Sequence, residues 1–334
     1  MIDDRRSIVL RALVEEYIRT GEPVSSRAVL ERCSVDVSSA TIRNDLAKLE
    51  SYGFVTQPHT SAGRVPTPAG YRYYVDHCSP TKLRSSTRER IEVFFRGFHE
   101  ELGKLLRQTS GLLSDISHYP AVVIGPGFGE EIIQGLQLVQ LGGPVVMVVT
   151  IASTTARVGQ EVVRLQITPT GDELDQAEEV LVDALRGATI SDGVMRIAEI
   201  PPDQLTDRVK AIVTALSAAV GASVDATREL YVGGTSQLAS LWQDLAQVHT
   251  MLELLEQHQH VRQLLDSEGE GTSVRLGAET DVPDADFAVV STAFTVGGTG
   301  RGRIGVLGPM RMDYRRAIRI VEEVGDGLED SLGA

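Results

Sequence analysis

The stretch Val37–Phe54 has the sequence VSSATIRNDLAKLESYGF, and its pattern predicts a helix with two unlike faces. Ser38 is a favoured N-cap residue, and Gly53 is typical of the position that follows a helix, so both ends are marked. At helical spacing one stripe is apolar and must be buried: Ile42, Leu46 and Leu49. The opposite stripe is small, polar and cationic: Ala40, Arg43, Asn44, Ala47 and Ser51, with Lys48 at its edge. One side of this helix therefore belongs to a core and the other to a polar partner.

The polar stripe suits the major groove of double-stranded DNA. Small side chains allow close approach, Arg43 can bond guanine bidentately, Asn44 can bond adenine, and Lys48 can reach a phosphate. The candidate DNA contacts on this helix are Ser39, Ala40, Thr41, Arg43, Asn44 and Lys48. An ordinary amphipathic surface helix has the same pattern, so the neighbouring segments must decide between the two interpretations.

The segments before this stretch predict a helix-turn-helix. Residues 3–20 have an apolar period that is typical of a first helix. Ser25 and Ser26 offer an N-cap for a short helix that closes near Cys33, and only residues 34–37 separate it from the next helix. A short helix, a tight turn and a second helix form the helix-turn-helix signature.

The segment after it predicts a wing. Residues 54–58 and 65–67 can pair as two short strands across a polar loop. Four residues of this loop suit phosphate or minor-groove contact, although any hairpin tip needs the same residue types: Thr60, Ser61, Gly63 and Arg64. In the helix predicted after the wing, Arg72 is a candidate phosphate contact. The tyrosines beside it are expected to pack against the wing, because base stacking is chiefly a single-strand device.

Charge is distributed unevenly along the 334 residues, a length that predicts two or three domains. The net charge of −14 by itself argues against a nucleic-acid partner. However, residues 1–90 hold 14 basic and 11 acidic side chains, whereas residues 91–334 hold 18 basic and 35 acidic ones. A mildly basic N-terminal part therefore precedes a strongly acidic remainder.

The chain is expected to be a cytoplasmic protein that does not enter a membrane. Cys33 and Cys78 are too few for a disulfide framework or a zinc site, which fits a reducing compartment. No signal peptide opens the sequence, and the longest apolar run, residues 144–152, is far too short to span a bilayer.

The remainder of the chain predicts an α+β architecture. Residues 79–90 are polar and basic and predict a linker, and residues 91–117 predict a long helical segment. Four β-branched runs within residues 121–168 predict one antiparallel sheet. Further helices and strands are predicted at 173–186, 202–220, 229–232, 236–266, 274–276, 287–296 and 304–307, with a closing helix from Pro309. Because similar strands flank the helical block 171–244, that block is predicted to be an insertion.

No pattern predicts a cofactor or metal site. Residues 300–305, GRGRIG, have the glycine spacing of the dinucleotide-binding pattern G-x-G-x-x-G. However, that pattern requires the glycines to begin a helix, and here they precede a predicted strand. They predict a hairpin loop. His258 and His260 are two residues apart on a predicted helix, so they lie on different faces and are poor joint ligands. The lack of a local catalytic set weakly disfavours an enzyme, because neighbours in space cannot be read from one sequence.

Four pieces of the chain carry a family resemblance: residues 39–46 (SATIRNDL), 60–67 (TSAGRVPT), 70–76 (GYRYYVD) and 305–314 (GVLGPMRMDY). With them the chain closely resembles the heat-inducible transcription repressor family (HrcA) over nearly its full length. The middle of the chain is less distinctive. Met310 stands where the family usually has a smaller polar residue.

This resemblance implies an architecture and a set of partners. It implies a homodimer that binds an inverted-repeat operator upstream of chaperone genes, and a partner chaperonin that keeps the repressor competent. It also implies a GAF-like α+β domain that carries an inserted dimerisation domain. The corresponding boundaries are 1–78 for the winged helix-turn-helix, 79–90 for the linker, 91–170 and 245–334 for the GAF-like domain, and 171–244 for the insertion.

The sequence is therefore interpreted as a sequence-specific repressor of heat-shock genes, a binding protein and not an enzyme. Arg43 and Asn44 are expected to read base edges, while Lys48, Arg64 and Arg72 contact the DNA backbone or minor groove. Two alternatives stay open. One is a regulator whose GAF-like domain senses a small molecule, and the other is an enzyme with a fused DNA-binding head, which requires a polar catalytic cluster in the second domain.

Overall fold

A computed structural model describes most of the chain, and the predicted wing contacts Thr60 and Ser61 lie outside the described residues. The described residues are 2–33, 35, 37–59, 62–96, 102–127, 131–152, 158–201, 205–222, 228–242, 244–265, 269, 271–282, 285–296 and 300–332.

The N-terminal part, residues 2–77, which we call the head, has the predicted order of elements. It contains α1 (Asp4–Thr20), α2 (Ser26–Arg32), α3 (Ser39–Ser51), β1 (Val55–Thr56), β2 (Val65–Pro66) and α4 (Pro68–His77). The two strands pair antiparallel, with Val55 opposite Pro66. Gly53, directly after α3, has a φ of +79°, the left-handed conformation in which glycine is favoured.

The chain then enters a five-stranded sheet through α5 (Ser85–Arg96), α6 (Leu102–Ser117) and β3 (Ala121–Ile124). The start of α5 lies within the predicted linker 79–90. Leu83 is buried, and Ile91 and Phe95 form an apolar stripe one helical turn apart, so this segment packs instead of spanning open solvent.

The next segment forms a separate sheet and its own core. It contains β4 (Ile133–Gly142), β5 (Val145–Ala152), β6 (Val158–Arg164), α7 (Gly171–Leu185), α8 (Ile190–Ala198) and α9 (Asp207–Ala222). The three strands pair antiparallel in the order β4-β5-β6, and their inward side chains pack with the three helices. The single sheet predicted over 121–168 is therefore wrong, because β3 pairs elsewhere. The three strands share a core with the helices that follow them. The sequence instead predicted a domain boundary at residue 171, between these strands and these helices.

The chain returns to the five-stranded sheet at β7. The remaining elements are β7 (Leu230–Gly233), α10 (Leu238–Leu241), α11 (Leu245–Glu256), α12 (His258–Leu265), β8 (Ser273–Leu276), β9 (Phe287–Val296), β10 (Gly300–Pro309) and α13 (Tyr314–Leu332). The strand order is β7-β3-β10-β9-β8, antiparallel throughout. Helices α6 and α13 pack on one face of this sheet, and α11 and α12 pack on the other. We call residues 79–127 and 228–332 the body.

The glycine-rich segment 300–305 lies inside β10 and not in a hairpin loop, and the closing helix begins at Tyr314 and not at Pro309. A Cβ on Gly302 would lie 2.1 Å from the ring of Phe294 on the neighbouring strand, and a Cβ on Gly305 would lie 2.8 Å from the carbonyl oxygen of Val290. The glycines therefore serve close packing between β9 and β10.

The three-stranded sheet leaves one apolar face uncovered within the described chain. Along β5, Val146, Val148 and Ala152 face the helices, so the alternating residues point to the opposite side. The register places Val162 beside Met147 and Val158 beside Ile151 on this side, whereas Gln137 and Gln160 flank Val149. We call this surface the outer sheet face: Leu141, Met147, Ile151, Val158 and Val162.

Candidate nucleic-acid interface

Helix α3 presents the two faces that its sequence predicts. The hydroxyl of Ser38 accepts a hydrogen bond from the backbone N–H of Thr41 at 3.1 Å, which caps the helix. The apolar stripe is buried: Ile42, Leu46 and Leu49. The opposite stripe is exposed: Ala40, Arg43, Asn44, Ala47, Lys48 and Ser51. Ser39 and Thr41 are half-buried at the start of the helix.

Three polar side chains of this exposed stripe have no partner within the described part of the chain. The side-chain hydrogen bonds and ion pairs found there do not involve Arg43, Asn44 or Lys48. Their donors and acceptors face water. A partner that reaches this face can therefore engage all three without breaking an internal contact.

A buried carboxylate holds α3 against the first helix. Asp45 has no exposed side-chain surface, and it accepts two hydrogen bonds from Arg5 at 2.8 and 2.9 Å. The Nε of Arg6 lies 3.3 Å from the same carboxylate. Sequence reasoning missed this contact, although an acidic residue on the buried stripe beside Ile42 was a usable signal.

We expect Asp45→Ala to destabilise the head by about 1–3 kcal/mol. The loss is moderate for a buried ion pair because Arg5 is 43% exposed and stays hydrated when its partner is removed. Chemical denaturation of the full chain measures it. The control is Glu31→Ala, which removes an exposed ion pair with Arg27 and should change stability by less than about 0.5 kcal/mol. Equal losses in the two variants would contradict a specific role for Asp45.

The wing is attached to the head by its backbone and by Arg64. The backbone of Arg64 exchanges two hydrogen bonds of 2.9 Å with Val24. Its guanidinium pairs with Glu50 of α3, with Nη2 2.8 Å from the carboxylate oxygen. A Cβ on Gly63 would lie 2.4 Å from the carbonyl oxygen of Val24, so this position requires glycine for packing. Arg64 and Gly63 thus fix the wing beside α3, and their contact with DNA stays a prediction.

Arg72 connects the head to the body. Its Nη1 donates to the backbone oxygen of Val274 at 2.8 Å and lies 3.1 Å from Glu279, while Nη2 pairs with Asp76 at 2.7 Å. Arg72 is therefore engaged by three partners, and its contact with a phosphate stays a prediction.

The tyrosines of α4 are packing residues, and they pack on the body as well as the wing. The ring of Tyr73 meets Phe54 next to β1, with ring centroids 5.6 Å apart. The ring of Tyr71 lies against Tyr314, with centroids 6.1 Å apart. Burial raises the pKa of the Tyr71 and Tyr74 hydroxyls well above the ordinary value. These rings are consequently not available for stacking on bases.

A second buried carboxylate lies where α1 meets α2. Glu16 pairs with Arg19 and with Arg32, whose Nε is 2.6 Å from the Glu16 carboxylate. The hydrogen bond from Arg19 lowers the pKa of Glu16, with a further contribution from Arg32.

Among the described residues, no group of three or more His, Cys, Asp and Glu could hold a metal ion, and no helix has the length and apolarity to cross a membrane.

A capped and exposed recognition helix after a short helix and a turn, followed by a two-stranded wing, defines a winged helix-turn-helix DNA-binding protein. A sequence model described as the DeoR-like helix-turn-helix domain matches residues 11–66. The model described as the HrcA protein C terminal domain matches residues 103–318. The chain belongs to the heat-inducible transcription repressor family, HrcA.

Curated relatives support this membership over nearly the full length. The heat-inducible transcription repressor of Frankia casuarinae is 38% identical and covers 100% of both chains. That of Symbiobacterium thermophilum is 34% identical over 99% of this chain and 98% of its own. That of Halalkalibacterium halodurans is 32% identical over 98% and 97%. The chain is therefore a transcription repressor of the heat-inducible type, a regulatory and not an enzymatic role, as its sequence predicted.

One solved structure shares the fold. A crystal structure described only as a hypothetical protein superposes with a TM-score of 0.61 at 24% identity, covering 100% of this chain and 99% of that one. At this identity the similarity shows the fold alone.

Proposed function

We propose that the chain represses its target genes by binding an inverted-repeat operator, with Arg43 and Asn44 reading base edges and Lys48 contacting phosphate. The observation that carries this is the exposed stripe of α3, whose three polar side chains have no internal partner in the described chain. Arg can bond guanine and Asn adenine in the major groove, so this stripe has the donors that sequence reading needs. A footprint of the full chain on the promoter of its own operon tests the proposal.

The other predicted contacts take supporting places in this proposal. Ser39, Ala40 and Thr41 open α3, where small side chains let the helix approach the groove closely. Gly63 and Arg64 hold the wing beside α3, and in this proposal Thr60 and Ser61 contact the DNA backbone or minor groove. A direct phosphate contact by Arg72 requires its bonds to Val274 and Glu279 to open. The contact therefore competes with attachment of the head to the body.

We also propose that the body is the GAF-like domain and that the inserted dimerisation domain runs from about residue 131 to about residue 222. This insertion differs from the predicted 171–244 because β4, β5 and β6 share a core with α7, α8 and α9. The outer sheet face supports dimerisation through this unit. It carries several exposed apolar side chains, with Val162 61% and Val158 54% exposed, and such surfaces commonly mark interfaces. A second copy of the chain is the proposed occupant.

The proposed signal is heat, acting through loss of the folded, operator-binding dimer in the cytoplasm and rescue by a chaperonin. The acidic remainder of the chain supports the proposal that the folded state has limited stability. Residues 91–334 hold 18 basic and 35 acidic side chains, and like charges repel in a compact state. A loss of about 1–2 kcal/mol can change the active fraction of a marginally stable protein several-fold.

Operator binding is therefore expected to fall after mild heating and to recover when chaperonin and ATP are added. A gel-shift titration before and after heating measures this, with chaperonin without ATP as the control. Binding that survives heating unaided would contradict the proposal. Binding that is lost and never rescued would contradict the role of the chaperonin.

A further inference from the structure

A cavity of 450 Å³ lies between the head and the body, and four arginines line it. We call it the seam cavity. Arg19 and Arg32 come from the head, whereas Arg311 and Arg315 come from the body. Only two carboxylates share the lining, Glu15 and Asp313. Glu16 pairs with Arg19 and Arg32, so the four arginines face three carboxylates and the excess is one positive charge, in a protein whose total charge is −14.

Most N–H groups of these arginines remain available. A guanidinium carries five N–H donors. Arg19 and Arg32 share Glu16, to which Arg19 donates through two nitrogens and Arg32 through its Nε. Arg315 donates from Nε to the backbone oxygen of Ser79 at 2.8 Å. Across the described chain, no hydrogen bond or ion pair engages the side chain of Arg311.

Both carboxylates in the lining already accept hydrogen bonds. Glu15 accepts a hydrogen bond from the Tyr74 hydroxyl at 3.4 Å and lies 3.4 Å from Nη1 of Arg315. Asp313 accepts a hydrogen bond from the backbone N–H of Arg316, in the first turn of α13, at 3.1 Å. An anion that enters the cavity consequently meets Arg311, which has no carboxylate partner in the described chain, and the free N–H groups of three arginines that are already paired with Glu15 or Glu16.

The residues and the volume of the cavity indicate a class of ligand. The planar guanidinium fork matches phosphate oxygens, and several arginines on one site are typical of phosphate recognition. The four arginines come from three segments of the chain, and 450 Å³ lies within the usual range of small-molecule sites. We propose that the seam cavity binds a small molecule with a di- or triphosphate chain, placed between the head arginines and the body arginines.

Such a ligand bridges the head and the body. Because Arg19 and Arg32 lie on one side and Arg311 and Arg315 on the other, binding stabilises the docked arrangement against separation. The thermal unfolding temperature of the full chain therefore rises with ligand concentration.

Calorimetric titration of the full chain tests the proposal, with sodium tripolyphosphate and ATP as probes in the absence of magnesium. Both probes are expected to bind, and Arg311→Ala is expected to weaken binding by about tenfold or more, the usual effect of losing a charge-assisted contact. Arg311→Lys keeps the charge but not the fork, and an intermediate affinity is expected. Two matched controls should bind as the wild type does: Arg96→Ala, on the exposed face of α5, and Arg43→Ala, on the exposed stripe of α3.

Four outcomes separate the cases. Equal affinity for the two probes assigns the site to the phosphate chain alone, and tighter binding of ATP assigns it to a nucleotide. Binding that is lost in Arg43→Ala and kept in Arg311→Ala places the phosphates on the DNA-binding face and overturns the proposal. Failure of both probes to bind at millimolar concentration also overturns it. Melting curves of the unliganded variants confirm that each one is folded.

Discussion

A fragment of residues 1–78, which contains the head, is expected to bind an operator about 10²–10⁴-fold more weakly than the full chain, because a dimer adds a second half-site at high effective concentration. One small winged module also buries limited surface on DNA. A gel-shift titration of both proteins at one fixed salt concentration measures the difference. Equal affinity would contradict the proposed dimer.

The full chain allows the same point to be tested without cutting the contacts between head and body. Val162→Glu places a charge on the outer sheet face, where it should prevent pairing and lower operator affinity to that of a single half-site. Val93→Glu is the matched control, because Val93 is 59% exposed on α5 and Val162 is 61% exposed on β6. If the two variants keep the same dimer fraction in analytical ultracentrifugation, the interface lies elsewhere.

Arg43→Ala is expected to cost about 1–3 kcal/mol of operator binding, roughly a 5- to 150-fold loss, and to relax the base preference at one position in each half-site. The reason is that a bidentate contact with one base edge is lost and no other side chain replaces it. Selection of binding sites from a randomised operator library measures both effects.

Lys48→Ala provides the contrast, because a phosphate contact carries no sequence information. We expect it to weaken all sequences alike and to reduce the dependence of affinity on salt. A uniform loss from both variants would contradict base reading by Arg43.

The recognition helix could be predicted from sequence because its determinants are local. Ser38, the apolar stripe and Gly53 lie within one short stretch, and each acts on residues a few positions away. The same holds for the short strands of the wing, which pair across one hairpin.

The partners of the charged residues could not be predicted, because the fold brings them together from distant positions. Asp45 meets Arg5 across 40 residues, and Arg72 meets Glu279 across 207 residues. The sequence therefore predicts DNA contacts for arginines at positions that are expected to be exposed. In the structure, Arg64 and Arg72 each form an ion pair with a carboxylate of the same chain.

The prediction of strand pairing from the sequence was limited in the same way. The pattern of β3 resembles that of β4 and β5, which follow it directly, so the sequence predicts one sheet. In the structure β3 pairs with β7 and β10, more than a hundred residues further along the chain. Local periodicity shows that a strand exists, but it does not show which strand lies beside it.

A hydroxyl-radical footprint of the full chain on its operator, compared with that of Arg43→Ala, tests the central claim most directly. We predict two protected patches related by two-fold symmetry, with centres about 10–10.5 base pairs or a multiple of this apart, that weaken together in the variant. A single protected patch, or protection that Arg43→Ala leaves unchanged, would contradict operator reading by the exposed stripe of α3.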